Sequence, residues 1–228
     1  MDRNTLDFMG FASKAGLYSS VNENAMSNEE RIKKAAASFA SFLDYTYPNW
    51  RRDPSMSDTP TRVAKMYVNE IFGAVHSHPP KITSFENTGE TAYQGIIFQG
   101  GIDVKSVCSH HIMPFIGKAY VAYIPSEKEG SKIIGLSKLN RIVEFCSRRP
   151  QVQESLTRQI HSLISSLIGD NKGVAVHIVA NHMCVSMRGV NQESTMRTAH
   201  LSGLFFSNEI GTRDEFYRFV GDHVNSWR

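Results

Sequence analysis

Residues 93–125 read YQGIIFQGGIDVKSVCSHHIMPFIGKAYVAYIP, and the fold turns on how this stretch is read. Upstream of it, apolar residues recur at three- and four-residue intervals, as on a helix. Within it they alternate or run together between turn residues, as in strands. Residues 93–99 and 102–108 predict two strands separated by Gly100 and Gly101, and 116–124 a third that ends at Pro125. In the middle, VCSHHIMPF (107–115) places one cysteine and two adjacent histidines where a strand ends and turns.

Downstream, SEKEGSK (126–132) is a charged turn. Ser137 is expected to cap a helix that turns Leu139, Ile142, Val143 and Cys146 inward, and Pro150 breaks it. A longer helix is expected over 151–168, with Val152, Leu156, Ile160, Leu163 and Leu167 inward. Residues 173–180 and 198–206 predict further strands, and Thr212-x-x-Glu215 caps a last short helix. Upstream, Ser27-x-x-Glu30 is a capping box before Ile32, Ala35, Ala36, Phe39, Phe42 and Leu43, and Pro48 ends that pattern. A second helix opens at Asp58-Thr59-Pro60, carries Val63, Met66, Tyr67 and Ile71, and closes at Gly73. Runs of strands separated by runs of helices predict an α+β fold with an antiparallel sheet. The expected organisation is a loose arm over 1–26, a helical region over 27–90 and a sheet-bearing catalytic domain over 91–228.

The chain has 228 residues, 41% apolar and 21% charged, the balance of a soluble globular protein. A net charge of +3 is too small to argue for a nucleic-acid partner, yet leaves room for a basic pocket for a small anion. No apolar run reaches membrane-spanning length. Asp2, Arg3, Asp7, Lys14 and Glu23 interrupt the start of the chain, which argues against a signal peptide and for the cytoplasm. An odd count of three cysteines argues against a disulfide framework.

Two of those cysteines have histidine companions. Cys108 and His111 stand three apart at a turn; in NHMC, His182 and Cys184 stand two apart and share a face if the preceding strand continues. The candidate donors are Cys108, His110 or His111, His182 and Cys184. Two thiolates with one imidazole form a catalytic zinc set that leaves a position for water, whereas four protein ligands close the site. Any histidine not on the metal is free to move protons. Cys146, on a helix's apolar stripe, reads as core. His76, His78, His161, His177 and His200 read as ordinary hydrogen-bonded histidines, having no ligand companion at useful spacing.

VCSHHIMPFIGKAYVAYIP, IIGLSKLNRIVEFCSRRPQVQESLTRQI and NHMCVSMRGV together resemble GTP cyclohydrolase I, and DTPTRVAKMYVNEIF and TRDEFYRFV are similar to its other segments. The likeness covers about residues 28–220 in the family's order. It implies a tunnelling fold, a four-stranded antiparallel sheet with two helices between its hairpins. It implies hydrolytic opening of the guanine imidazole ring of GTP, release of formate and formation of 7,8-dihydroneopterin triphosphate. It also implies one Zn²⁺ per subunit without an organic cofactor, and a homodecamer with sites at subunit contacts. Carried over by position, Cys108, His111 and Cys184 match the zinc ligands, and His110, His182 and Ser137 the catalytic residues. Gln153 and Glu154 match the guanine-recognising positions, and Arg62, Lys65, Lys138, Arg141 and Arg188 the basic residues that face the triphosphate. The turn at 126–132 is longer than usual for the family, and Arg197 and His200 interrupt a commonly Ser/Thr-rich stretch. A reductase of the same fold needs a nucleophilic cysteine and no Cys–His metal set. A non-catalytic homologue has no need of spare histidines or Glu154. The double cluster therefore favours the cyclohydrolase.

Overall fold

The computed structural model describes Gly10, residues 26–89 and residues 92–226. Apart from Gly10 and Met26, the arm expected over 1–26 lies outside the described residues. Two compact units divide between His78 and Pro79. No helix among the described residues is long and apolar enough to cross a membrane.

The first unit is helical. Helix α1 (Asn28–Thr46) is capped by Ser27, whose Oγ accepts from Glu30 N at 3.2 Å. Helix α2 (Thr59–Lys65) begins with Pro60 in its first turn and runs on as a π-helical stretch over Met66–Ile71. Gly73 does not close it; a further single turn, α3 (Gly73–His76), follows directly. Trp50 is buried, donates Nε1 to Asp44 at 2.8 Å and lies under the Arg51 guanidinium.

The second unit is α+β. Strand β1 (Ser84–Glu86) pairs with β4 (Lys132–Ile134) in a separate two-stranded sheet. The main sheet comprises β2 (Ile97–Cys108), β3 (Pro114–Pro125), β5 (Pro150–Gln151), β6 (Asn171–His182) and β7 (Thr195–Leu201), in the order β5-β2-β3-β6-β7. β2, β3, β6 and β7 are antiparallel neighbours, and β5 adds two residues parallel to β2. Between β4 and β6 run α4 (Leu136–Ser147) and α5 (Gln153–Ile168). After β6 come the single turn α6 (Met183–Ser186), then β7, α7 (Leu204–Ser207) and α8 (Thr212–Ser226).

The structure corrects several sequence expectations. Gly100 and Gly101 do not separate a pair of strands; they form a bulge within the single strand β2, with Gly101 at φ +69°, a conformation open to glycine at no steric cost. β7 stops at Leu201, because the chain turns at Gly203 into α7. Ser137 does not cap α4; Gly135 holds that position and Ser137 lies exposed in the first turn. The sheet has a fifth, parallel strand beyond the four expected, so it is mixed.

β3 is covered on both faces. Tyr120, Ala122 and Ile124 pack with Phe205, Phe216 and Val220 from α7 and α8. Alternation turns Ala119, Val121 and Tyr123 the other way. α4 packs on β2, and α5 on β6 and β7. The β3–β6 approach is close at Gly117, where a Cβ would stand 1.9 Å from the Val179 carbonyl oxygen.

Candidate metal centre

Register brings the two Cys/His clusters to one end of the sheet. Val107 pairs with Pro114, so Ser109–Met113 forms the turn between β2 and β3. Cys108 N donates to Met113 O and Ile112 N to Cys108 O, both at 2.8 Å, which tightens that turn. One residue further, Phe115 pairs with His182, the last residue of β6. On the other flank Cys108 pairs with Gln151, which sets the start of α5 beside it.

β6 does not continue through Cys184, as the shared-face expectation required; the chain turns into α6 after His182. Nor is β2, which ends at Cys108, a neighbour of β6, since β3 lies between them. The side chains still converge: the donor atoms of Cys108, His182 and Cys184 all lie within 4.8 Å of one another. Cys108 is buried, while His182 and Cys184 are half-buried. Burial raises the Cys184 thiol above its usual value, and the neighbouring Cys108 raises it further. Two sulfurs so placed repel as thiolates, and a divalent cation relieves that repulsion, so the two cysteines fit Zn²⁺ with one imidazole beside them.

These residues line a cavity of about 440 Å³ together with His110, Glu154 and Ser194. That volume is in the range of small-molecule sites. His110 Nδ1 lies 3.6 Å from Cys108 Sγ. The His182 ring stacks on Phe115 with centroids 4.7 Å apart, and its Nε2 lies 2.9 Å from Gln153 Oε1. Burial lowers the His182 imidazole below the usual value, while the Glu154 carboxylate pulls the other way.

Gln153 lines the same cavity beside Glu154, whereas the other residues expected at the site are dispersed. His111 lies outside the three-donor cluster; its Nε2 accepts from Arg188 Nη1 at 3.2 Å. Gln153 is wholly buried, with its amide engaged on both sides, whereas Glu154 is exposed at the start of α5. Ser137, Lys138 and Arg141 belong to α4, which contributes nothing to the lining of this cavity. Arg62 and Lys65 belong to the helical unit, where Arg62 pairs with Asp58 at 3.8 Å. Of the two unusual residues in β7, Arg197 acts electrostatically on His177, and His200 meets the His161 ring edge-to-face at 4.4 Å; neither lines the cavity. Sequence reasoning did not identify Ser194, Thr195 or Met196 as lining residues, nor Thr157 and Thr198 as partners of Gln153. The Ser/Thr content of 194–198 was the available signal.

A family profile described as GTP cyclohydrolase I matches residues 35–221. The chain belongs to the GTP cyclohydrolase I family. It is 49% identical over 173 residues to GTP cyclohydrolase 1 of Pectobacterium carotovorum, covering 75% of each chain. It is 41% identical over 202 residues to GTP cyclohydrolase 1 of Aeromonas salmonicida, covering 88% of this chain and 89% of that one. The enzyme of that name from Serratia proteamaculans is 47% identical over 173 residues, again 75% of each. In all three cases the aligned length covers most of the GTP cyclohydrolase relative.

Proposed function

We propose that this chain is a zinc-dependent GTP cyclohydrolase I that opens the imidazole ring of GTP with water, releases formate and yields 7,8-dihydroneopterin triphosphate. The carrying observation is the convergence of Cys108, His182 and Cys184 beside Glu154 in one cavity, in a chain of this family. Cys108, His111 and Cys184 would hold the metal. His111 follows Cys108 on the same tight turn; its Nε2 lone pair accepts from Arg188 and would exchange that guanidinium for the metal. Zinc bound there supplies Lewis acidity that makes water nucleophilic near neutral pH, suited to attack at C8 of guanine.

The remaining residues orient the purine and move protons. The Glu154 carboxylate accepts from guanine N1–H and the N2 amino group, a donor pair that adenine lacks. His182 donates a proton to N7 as the ring opens, a general-acid role for an imidazole. His110, beside Cys108, assists proton transfer near the ribose, and Ser137 acts in the later sugar rearrangement. Arg188, Lys138, Arg141, Arg62 and Lys65 bind the triphosphate; arginine's planar fork engages two oxygens at once. α4 lines no part of this cavity within one chain, which favours a homo-oligomer, a decamer by family resemblance, in which a neighbouring copy supplies α4. The tunnelling fold and a cytoplasmic location belong to the same reading.

Metal content combined with formate release and neopterin fluorescence on GTP tests the function. Metal-replete protein that forms neither product rejects it.

A further inference from the structure

Gln153 was expected from its position to read guanine, but its side chain is wholly buried. Its nitrogen Nε2 faces three acceptors: Ile178 O at 3.2 Å, Met196 O at 3.2 Å and Thr198 Oγ1 at 3.0 Å. Backbone carbonyls only accept, so the nitrogen must lie on that side and the amide has one orientation. The hydroxyls agree with it. Thr157 Oγ1 donates to Gln153 O at 2.9 Å, so at its 2.6 Å contact with Thr198 it accepts. Thr198 thus donates to Thr157 and offers its own lone pair to Gln153 Nε2. Flipping the amide would set its oxygen against two carbonyl oxygens.

With the nitrogen fixed, Oε1 faces His182 Nε2 at 2.9 Å and accepts from it. His182 therefore carries its hydrogen on Nε2 and presents Nδ1. The Phe115 stack and the Gln153 bond together hold the ring plane and the ring edge.

We propose that Gln153 is a positioning residue: held by the Thr157–Thr198 hydroxyl pair and two strand carbonyls, it fixes the tautomer and orientation of His182, so that Nδ1 is the nitrogen that exchanges protons with substrate. This rests on the proposed function insofar as His182 is the proton donor. A guanine reader and a positioning residue fail differently. Loss of a guanine contact raises KM for GTP. Loss of His182 alignment lowers kcat and leaves KM and metal content alone.

The test compares Gln153→Met, Gln153→Glu and Thr198→Val in the full-length enzyme. Met keeps length and removes both polar ends. Glu, protonated in this buried place, keeps an oxygen that accepts from His182 and a hydroxyl that donates to one strand carbonyl. The expectation is a fall in kcat of about 10-fold or more for Gln153→Met, at near-constant KM and zinc content, since a positioned acid contributes ~10²–10⁴-fold. Gln153→Glu recovers most of that loss, and Thr198→Val falls between the two. ¹⁵N shifts of the His182 imidazole report the Nε2–H tautomer in the parent and a tautomer mixture in Gln153→Met, whether or not the protein turns over GTP. A raised KM with unchanged kcat, a Gln153→Glu variant as slow as Gln153→Met, or an Nδ1–H tautomer in the parent overturns the inference. A parent with the Nε2–H tautomer but no formate release overturns the cyclohydrolase reading alone.

Discussion

At the scale of single residues, Cys184 is half-buried on a one-turn helix, held near Cys108 by the end of β6. Cys184→Ser replaces a soft sulfur by a poor zinc donor. Zinc affinity is expected to fall by more than about 100-fold, beyond the usual cost of losing an outer partner, and activity falls with it. Zinc retained at one per chain would remove Cys184 from the ligand set. The histidines divide by role: His111→Ala is expected to lose metal, whereas His182→Ala keeps it and slows turnover by about 100-fold or more. Zinc analysis of the two variants side by side checks this, and the reverse pattern would make His182 the ligand. The convergence of Cys108, His182 and Cys184 was foreshadowed by spacing, because clustered donors of these types stand out wherever the backbone runs; the place of His111 against Arg188 was not. Nor was the burial of Gln153. At the first position of a helix a glutamine reads as solvated, and only the approach of β6 and β7 encloses it.

At the scale of elements, α5 meets the sheet along a polar seam beside its apolar stripe. Gln153, Thr157 and His161 recur every four residues, and Thr198 and Ser202 answer them. His161 Nε2 lies 3.0 Å from Ser202 Oγ; burial, with His200 alongside, pushes its pKa from 6.5 down to about 4. The folded state therefore binds this proton less readily than the unfolded chain. The resulting stability is complete above pH 6.5, declines as pH falls towards about 4 and is flat below. His161→Gln is expected to flatten that part of the curve of unfolding midpoint against pH, and an unchanged slope would contradict it. Sequence periodicity found α5 and its inward leucines and isoleucines, since 3.6-residue spacing survives in one dimension. It missed the bulge in β2, because two glycines announce a break whether the chain reverses or only kinks.

For the whole molecule, the order of the longer helices and strands was legible because each change of period marks an element, whereas the three-residue strands β1 and β4 were not. Nor was the parallel pairing of Pro150–Gln151, since two residues carry no period. Among the described residues β7 pairs with β6 alone, so one long edge of the main sheet has no strand partner there. α4 also stands outside the cavity that holds Cys108 and Glu154. If a second copy brings Lys138 and Arg141 to that cavity, two dead variants can rescue each other. Cys184→Ser and Arg141→Ala, each inactive alone, are expected to regain a fraction of parental activity when refolded together. A mixture no more active than its components would place every required residue in one chain.

Gly117 faces Ala180 two positions before the Phe115–His182 pair, and the Val179 oxygen occupies the space of a methyl group there. Any other residue must lever β6 outward, at roughly 1–3 kcal/mol for an overpacked site. The same displacement carries His182 away from Cys108, so folding strength and chemical competence fail together. In a cell, Gly117→Ala would behave as a conditional allele, tolerated at low growth temperature and lost at high.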